Sequence, residues 1–328
     1  MKEQSLLDQI GNFENLILAF KECSKGKKST SGHQKFLFNY GEKIKSMEQE
    51  IISTSDYRWG TYREFYVYDP KKRLVMAAAY KDRVLHTAIH RVLDPILDVR
   101  LGARTFACRN NMGNRAAALR LSEQLKRMGK NRYCIKLDVQ KYFQSIHHDT
   151  LYEMLFKVLP DQSLKKIIFS LLKSHKDYAQ LGRGIPIGNL TSQAFANFYL
   201  SIADQVGCQE LEIDFHEDFK EEHDFYIRYM DDIVILSRTK EKAIRVANQV
   251  RSACMDYLKL NIPTNKYVVL GDAPIPFLGY VMDECGYRVI RRNERKFAKK
   301  IKRLDKNNYS LSYQAQVRQS YEAWRELY

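Results

Sequence analysis

The segment FYIRYMDDIVILS, residues 225–237, sets two apolar β-forming runs around Met230-Asp231-Asp232. Runs of this kind read as strands, and so short a spacer reads as a hairpin turn. An Asp-Asp pair alone is usually a solvated turn. Between two β-branched runs it places like charges together at a hairpin tip, which is unfavourable unless a cation balances them. The string Tyr-Met-Asp-Asp is expected by chance in roughly one chain in a thousand of this length. The chain is therefore constrained to build a sheet whose end carries acids.

A second strand of the same type, RYCIKLDV, ends in Asp138. With Asp231 and Asp232 it would complete an oxygen site suited to Mg²⁺, which takes a few carboxylates plus phosphate and water. Two such ions about 4 Å apart can activate an attacking hydroxyl and neutralise a leaving pyrophosphate.

Around these strands the pattern alternates helix and strand. Residues 1–61 read as a helical N-terminal extension with a basic loop, and REFYVYDPKKRLVMAA as a hairpin whose tip carries Lys71, Lys72 and Arg73. DRVLHTAIHRVLDPILDVRL is helical up to Pro95, and GNRAAALRLSEQLKRMG is a helix ending at Gly129. LTSQAFANFYLSIADQV reads as one helix, followed over residues 204–224 by nine acids and one Lys, expected as an exposed acidic loop. Alternating elements of this kind indicate an α+β or α/β sheet domain.

The chain has 328 residues, 45% hydrophobic and 12% aromatic, which excludes a disordered or collagen-like chain. No apolar run is long enough for a membrane helix, and the polar start does not suit a signal peptide, so a cytoplasmic protein with reduced thiols is expected. The six Cys are widely spaced with no CxxC pair. A net charge of +15 favours a polyanionic partner. Ten of the basic residues fall within 286–306, where Arg292, Lys296, Lys299 and Arg303 recur at helical spacing, as a helix following a phosphate backbone would require.

These motifs carry a resemblance. YIRYMDDIVIL is similar to the catalytic hairpin of reverse transcriptases, and IKLDVQKYFQSI to their first catalytic strand. Other blocks follow in the family's order over roughly residues 60–285: RLVMAAAYKDRVLH and FACRNNMGNRAA resemble fingers motifs, and GIPIGNLTSQAFANFYL the template and nucleotide block. LKLNIPTNKYVVL resembles the lysine-bearing block and FLGY the primer grip. Within the family, IPIGNLTSQ is closest to the enzymes of diversity-generating retroelements: Ile187-Gly188 and Ser192-Gln193 stand where most reverse transcriptases have Gln-Gly and Ser-Pro.

The resemblance implies an α+β right-hand polymerase fold, with fingers and an antiparallel-sheet palm interleaved over residues 62–284 and a short basic helical thumb over 285–328. It implies RNA-templated DNA synthesis with two Mg²⁺ ions, or Mn²⁺, held by Asp138, Asp231, Asp232 and the Val139 carbonyl. Arg73, with Lys72 or Lys81, would grip the triphosphate, since a guanidinium can hold phosphate oxygens bidentately. Phe143 resembles the aromatic gate against a 2′-hydroxyl, and Lys266 would neutralise or protonate the leaving pyrophosphate. Ile187, Gly188 and Gln193 would contact the nucleotide and template, where an apolar Ile187 implies low fidelity. Phe277, Leu278, Gly279 and Tyr280 would form the primer grip.

Implied partners are template RNA, a cDNA or RNA primer, deoxynucleoside triphosphates and an oligomeric basic accessory variability protein, with no membrane. Glu217, Asp218, Glu221 and Glu222 are candidate contacts for that protein. The rival readings are a group II intron-like, retron or phage-defence reverse transcriptase, and a catalytically silent nucleic-acid-binding module. His86 and His90 read as ordinary helix histidines, and His147-His148-Asp149 as a turn and helix cap.

Overall fold

The computed structural model of the chain describes residues 4–68, 71–159, 161–217, 224–263, 267–271, 273–306 and 309–326. Its strands are β1 (Arg63–Tyr68), β2 (Lys72–Ala77), β3 (Tyr133–Asp138), β4 (Phe225–Tyr229), β5 (Asp232–Ser237), β6 (Tyr267–Gly271), β7 (Ile275–Phe277), β8 (Tyr280–Asp283) and β9 (Gly286–Val289). Helices fill most of the remainder, so the α+β expectation holds. The chain divides into two compact units. One comprises Met1–Gly102, Val139–Ala203 and Ser252–Asn261; the other comprises Ala103–Asp138, Asp204–Arg251 and Ile262–Tyr328.

In the first unit the opening helices start where the sequence supplies capping oxygens. The side chains of Ser5, Asn12 and Thr30 accept the N–H groups of Asp8, Asn15 and His33. Leu16, Ile44, Met47 and Ile51 are fully buried, and Asn15 donates to the Ala88 carbonyl at 3.2 Å, tying these helices to helix Tyr80–Asp98. That helix does not stop at Pro95, contrary to expectation. Proline removes one backbone donor, but Leu93 and Leu97 on either side are buried, and their packing carries the helix through. β1 and β2 form an antiparallel ribbon, and every residue of β1 is exposed. The turn residues Asp69 and Pro70 lie outside the described residues.

The expected single helix from residue 190 breaks at Leu200 into Leu190–Tyr199 and Ser201–Leu211. The acidic stretch also departs from expectation, because Asp204 and Glu210 lie on the second of these helices and Asp204 is fully buried. Asp224 is ion-paired with Lys242 at 2.7 Å. Of the four acids expected to meet an accessory protein, Glu217 is described and exposed, while Asp218, Glu221 and Glu222 lie outside the described residues.

The second unit is built on an antiparallel sheet of order β4-β5-β3-β6 and a three-stranded antiparallel sheet β7-β8-β9. Alternation assigns the faces. Cys134, Phe225, Ile227, Val234 and Leu236 share one face and pack with Leu121 and Leu125 of helix Asn114–Met128 and with Ile275, Phe277 and Met282 of the smaller sheet. Tyr226, Arg228, Ile233 and Ile235 point to the opposite face and are also fully buried. A sheet buried on both sides explains why its strands read as continuous apolar runs. Helices Arg291–Lys306 and Leu311–Arg325 close the chain, with the Phe297 and Tyr321 rings 5.0 Å apart.

Candidate catalytic carboxylate site

The register brings the predicted acids together. Asp138, the last residue of β3, is the direct cross-strand partner of Asp232, the first residue of β5, so the two lie on one face. Tyr229 of β4 also pairs with Asp232, leaving Met230 and Asp231 as a two-residue turn. Such a turn needs a positive φ at its first residue, and Met230 adopts φ 56°. For a residue with a Cβ this costs about 1 kcal/mol.

Opposed carboxylates need a compensating cation. Lys136, two residues before Asp138 and on the same face, places its ammonium 3.1 and 3.3 Å from the two oxygens of Asp232. It also donates to the Pro276 carbonyl at 2.6 Å and lies 5.6 Å from the centre of the Phe277 ring. One side chain thus links the acidic strand ends to the β7–β8 hairpin. Burial pushes the Cys134 thiol on this strand up to about 12, leaving it an inert core group.

On the reverse face the hairpin is held by a buried polar network. Arg228 and Asp204 are both fully buried. The Arg228 Nε and Nη2 each donate to one Asp204 oxygen at 2.6 Å, and Nη1 donates to the Met230 carbonyl at 2.8 Å. Thr105 and Tyr226 hydroxyls add bonds to Asp204 at 2.8 and 2.9 Å. Burial, together with the Asp204 charge, raises the Tyr226 hydroxyl well above its ordinary range.

The donor set fits a hard divalent cation, since it offers three carboxylates and no thiol or imidazole. Among the described residues no three Asp, Glu, His or Cys side chains form a ready-made metal cage. The direct opposition of Asp138 and Asp232, already drawing an ammonium, is the feature that suits added positive charge. Val139 follows Asp138 with its side chain buried, so only its backbone can serve as a ligand.

The residues expected at the nucleotide belong to the first unit, apart from Lys266, which lies outside the described residues. Arg73 is exposed on β2, opposite Val67, and the Lys72 ammonium sits 4.0 Å from the centre of the Tyr66 ring. Met76 on the same strand donates its N–H to the Ile187 carbonyl at 3.0 Å, and Ile185 donates to the Phe143 carbonyl at 2.8 Å. β2, Phe143 and the Ile187-Gly188 turn are therefore brought together. Gly188 has φ +127°, and a Cβ there would lie 3.3 Å from the Met76 carbonyl, so the close approach requires glycine. Gln193 is half-buried on helix Leu190–Tyr199. Lys81 is engaged elsewhere: its ammonium pairs with Glu50 at 3.2 Å beside a cavity of about 760 Å³ that Asp56, Tyr57 and Arg58 also line.

Phe277 and Tyr280 are cross-strand partners with their rings in the core, which leaves the half-buried Leu278-Gly279 turn as the accessible part of that block. Arg292, Lys296, Lys299 and Arg303 are all exposed on helix Arg291–Lys306. His86 is buried, with Nδ1 2.7 Å from the Thr191 hydroxyl, and His90 lies 3.5 Å from Asp94. His147 occupies the N-cap position of helix His148–Val158, as expected, but its side chain makes no capping bond.

Sequence reading missed Lys136, Arg228 and Asp204. The signal for Arg228 was available: a cation inside FYIRY, a strand otherwise apolar on both faces, demands a buried anion. Nothing local identified Asp204 as that anion.

Residues 69–282 match the family model described as reverse transcriptase (RNA-dependent DNA polymerase). Protein YkfC of Escherichia coli is 22% identical over 269 residues, covering 70% of this chain and 67% of that protein. The putative COX1/OXI3 intron 1 protein of Saccharomyces cerevisiae is 23% identical over 129 residues, 38% of this chain and 15% of the yeast protein. The chain thus spans only a small part of the yeast relative.

Proposed function

Because the chain belongs to the reverse transcriptase family, we propose that it is an RNA-directed DNA polymerase in which Asp138, Asp231 and Asp232 are the metal-holding carboxylates. The observation that carries this reading is the Asp138–Asp232 cross-strand pair with Asp231 in the adjoining turn. These three acids and the Val139 carbonyl would hold the divalent ions that the family generally uses. When bound, two Mg²⁺ or Mn²⁺ ions supply the charge that lowers the pKa of the primer 3′-hydroxyl and offsets the leaving pyrophosphate. Lys136 offsets the charge of Asp232 and orients its carboxylate. Arg73 and Lys72 bind triphosphate oxygens, Phe143 excludes a 2′-hydroxyl, and Lys266 neutralises pyrophosphate. Leu278 and Gly279 touch the primer, while Arg292, Lys296, Lys299 and Arg303 follow the duplex backbone, whose A-like form is read by shape.

The proposed setting is a diversity-generating retroelement, in which the enzyme copies a template-repeat RNA with errors for mutagenic retrohoming, alongside a basic accessory protein. Support comes from the Ile187-Gly188 pair, where an apolar side chain stands in place of a hydrogen-bonding Gln, and from Ser192-Gln193, where Gln stands in place of Pro. A second reading, an intron-encoded enzyme, is favoured by the similarity to the putative COX1/OXI3 intron 1 protein of yeast. Among the described residues no helix is long and apolar enough to cross a membrane.

Primer extension on a defined RNA template with Mg²⁺, comparing wild type with Asp231→Asn/Asp232→Asn, tests both levels. DNA made by wild type alone, with errors concentrated opposite template adenine, is the expected result. Accurate DNA would move the assignment to the intron-type lineage, and synthesis unaffected by the double substitution would refute the carboxylate assignment.

A further inference from the structure

We propose that Arg228, clamped by Asp204, is a positioning residue that holds the Met230-Asp231 turn in the geometry nucleotidyl transfer requires. The inference rests on the polymerase reading above and adds a function to two residues that touch no reacting atom. Arg228 spends one edge of its guanidinium on both oxygens of Asp204 and the remaining nitrogen, Nη1, on the Met230 carbonyl at 2.8 Å. That carbonyl belongs to the peptide joining Met230 to Asp231, so the bond fixes the plane from which the Asp231 side chain departs. The residue it restrains is the one held at φ 56° against its own preference.

The clamp is itself immobile. Arg228 N–H donates to the Arg104 carbonyl at 2.9 Å, and the Arg228 carbonyl accepts from Phe106 N–H at 3.0 Å. Thr105, between those two residues, donates to Asp204 at 2.8 Å, and Tyr226 does so at 2.9 Å. All four side chains, those of Thr105, Asp204, Tyr226 and Arg228, are fully buried. A buried ion pair is a poor source of stability compared with apolar packing, so its presence under a strained turn calls for a geometric role. At position 228 the guanidinium gives one edge to the carboxylate and its third nitrogen to the carbonyl; a lysine there would keep the charge pair but carries a single ammonium, without the separate nitrogen that faces the Met230 carbonyl.

The test is Arg228→Lys in the full chain, read three ways: thermal unfolding by circular dichroism, Mn²⁺ binding by loss of the free-ion paramagnetic resonance signal, and primer-extension kinetics. The variant is expected to fold, to lose at least about tenfold in kcat with nucleotide KM little changed, and to bind Mn²⁺ several-fold more weakly. Adding Met230→Gly, which reaches φ 56° without strain, should recover part of the lost kcat. A merely structural ion pair would not respond to that second change. Wild-type kcat and Mn²⁺ affinity in Arg228→Lys would overturn the proposal. Should that variant unfold, Thr105→Val, which removes one bond to Asp204, must shift kcat and Mn²⁺ affinity in the same direction or the proposal fails. A wild type indifferent to Asp231→Asn/Asp232→Asn would instead overturn the polymerase reading on which the inference rests.

Discussion

Gly207 lies within helix Ser201–Leu211, one turn beyond Asp204, and its substitution by alanine should destabilise the protein even though the same exchange in a helix normally stabilises it. Replacing a helical glycine by alanine gains about 1 kcal/mol through lower unfolded-state entropy. At Gly207 a Cβ would stand 2.4 and 2.7 Å from two Tyr226 ring carbons, well inside the roughly 3.5 Å at which carbon atoms make contact. Tyr226 cannot yield, because it is fully buried and its hydroxyl is held by Asp204 at 2.9 Å. Overpacking of this kind costs roughly 1–3 kcal/mol, and losing a bond to a charged acceptor adds about 1.5–3 kcal/mol if the ring is displaced. The gain of about 1 kcal/mol offsets part of this, so Gly207→Ala should lose roughly 0–2 kcal/mol net if the Tyr226–Asp204 bond survives and about 1.5–5 kcal/mol if it does not. Gly41, in helix Tyr40–Thr54, is the control: a Cβ there meets nothing within 4 Å, and Gly41→Ala should gain up to about 1 kcal/mol. Urea denaturation of both variants decides the matter. Tyr226→Leu should abolish most of the Gly207→Ala penalty. A stabilised Gly207→Ala, or an equal penalty in both backgrounds, would refute the reasoning.

Burial lowers the His86 imidazole from its ordinary value near 6.5 to about 3, so the folded state holds it neutral while the unfolded state takes up a proton below pH 6.5. Its contribution to stability is therefore complete above pH 6.5 and falls as the pH drops toward 3, by about 3 kcal/mol at pH 4. The unfolding free energy of His86→Asn should decline less steeply over that window, and parallel profiles for the two proteins would remove His86 as the cause. Lys136→Met takes the ammonium away from Asp232 and the Pro276 carbonyl, and a loss of about 1 kcal/mol at pH 7 is expected for these half-buried groups. Added Mg²⁺ should raise the melting temperature of this variant more than that of wild type; equal increments would show that Lys136 does not balance the carboxylates.

The parts of the fold that the sequence disclosed are those governed by local pattern. β4, β5 and their acidic turn followed from two apolar runs around a charged pair, and helix Asn114–Met128 ended at Gly129, as a glycine C-cap dictates. Where the outcome depended on partners distant in sequence, local rules failed. Proline signalled an end at residue 95, but buried leucines on both sides outweighed one missing bond. Asp204 looked like the first of nine solvated acids because eight others follow it, and only the fold reveals that it meets Arg228, 24 residues later. The direct opposition of Asp138 and Asp232 was equally hidden, since strand register depends on pairing between residues 94 positions apart in the chain.

The site carries several unfavourable features at one place: two carboxylates opposed across strands, a third beside them, and a side-chain-bearing residue at φ 56°. None of these would persist in a sheet end free to relax, because a one-residue slip or a wider turn would separate the charges. Relaxation is prevented from both faces of the sheet. Lys136 supplies charge on the carboxylate face and fastens β3 to the β7–β8 hairpin, while Arg228 supplies a rigid donor on the reverse face and fastens the turn to helix Ser201–Leu211 through Asp204. Each cation also meets a backbone carbonyl, of Pro276 and Met230 respectively, so charge compensation and backbone placement are done by the same atoms. This coupling explains why a lysine and an arginine stand inside strands that are otherwise apolar. It also implies that a substitution preserving charge but not reach, at either position, should disturb catalysis more than it disturbs folding.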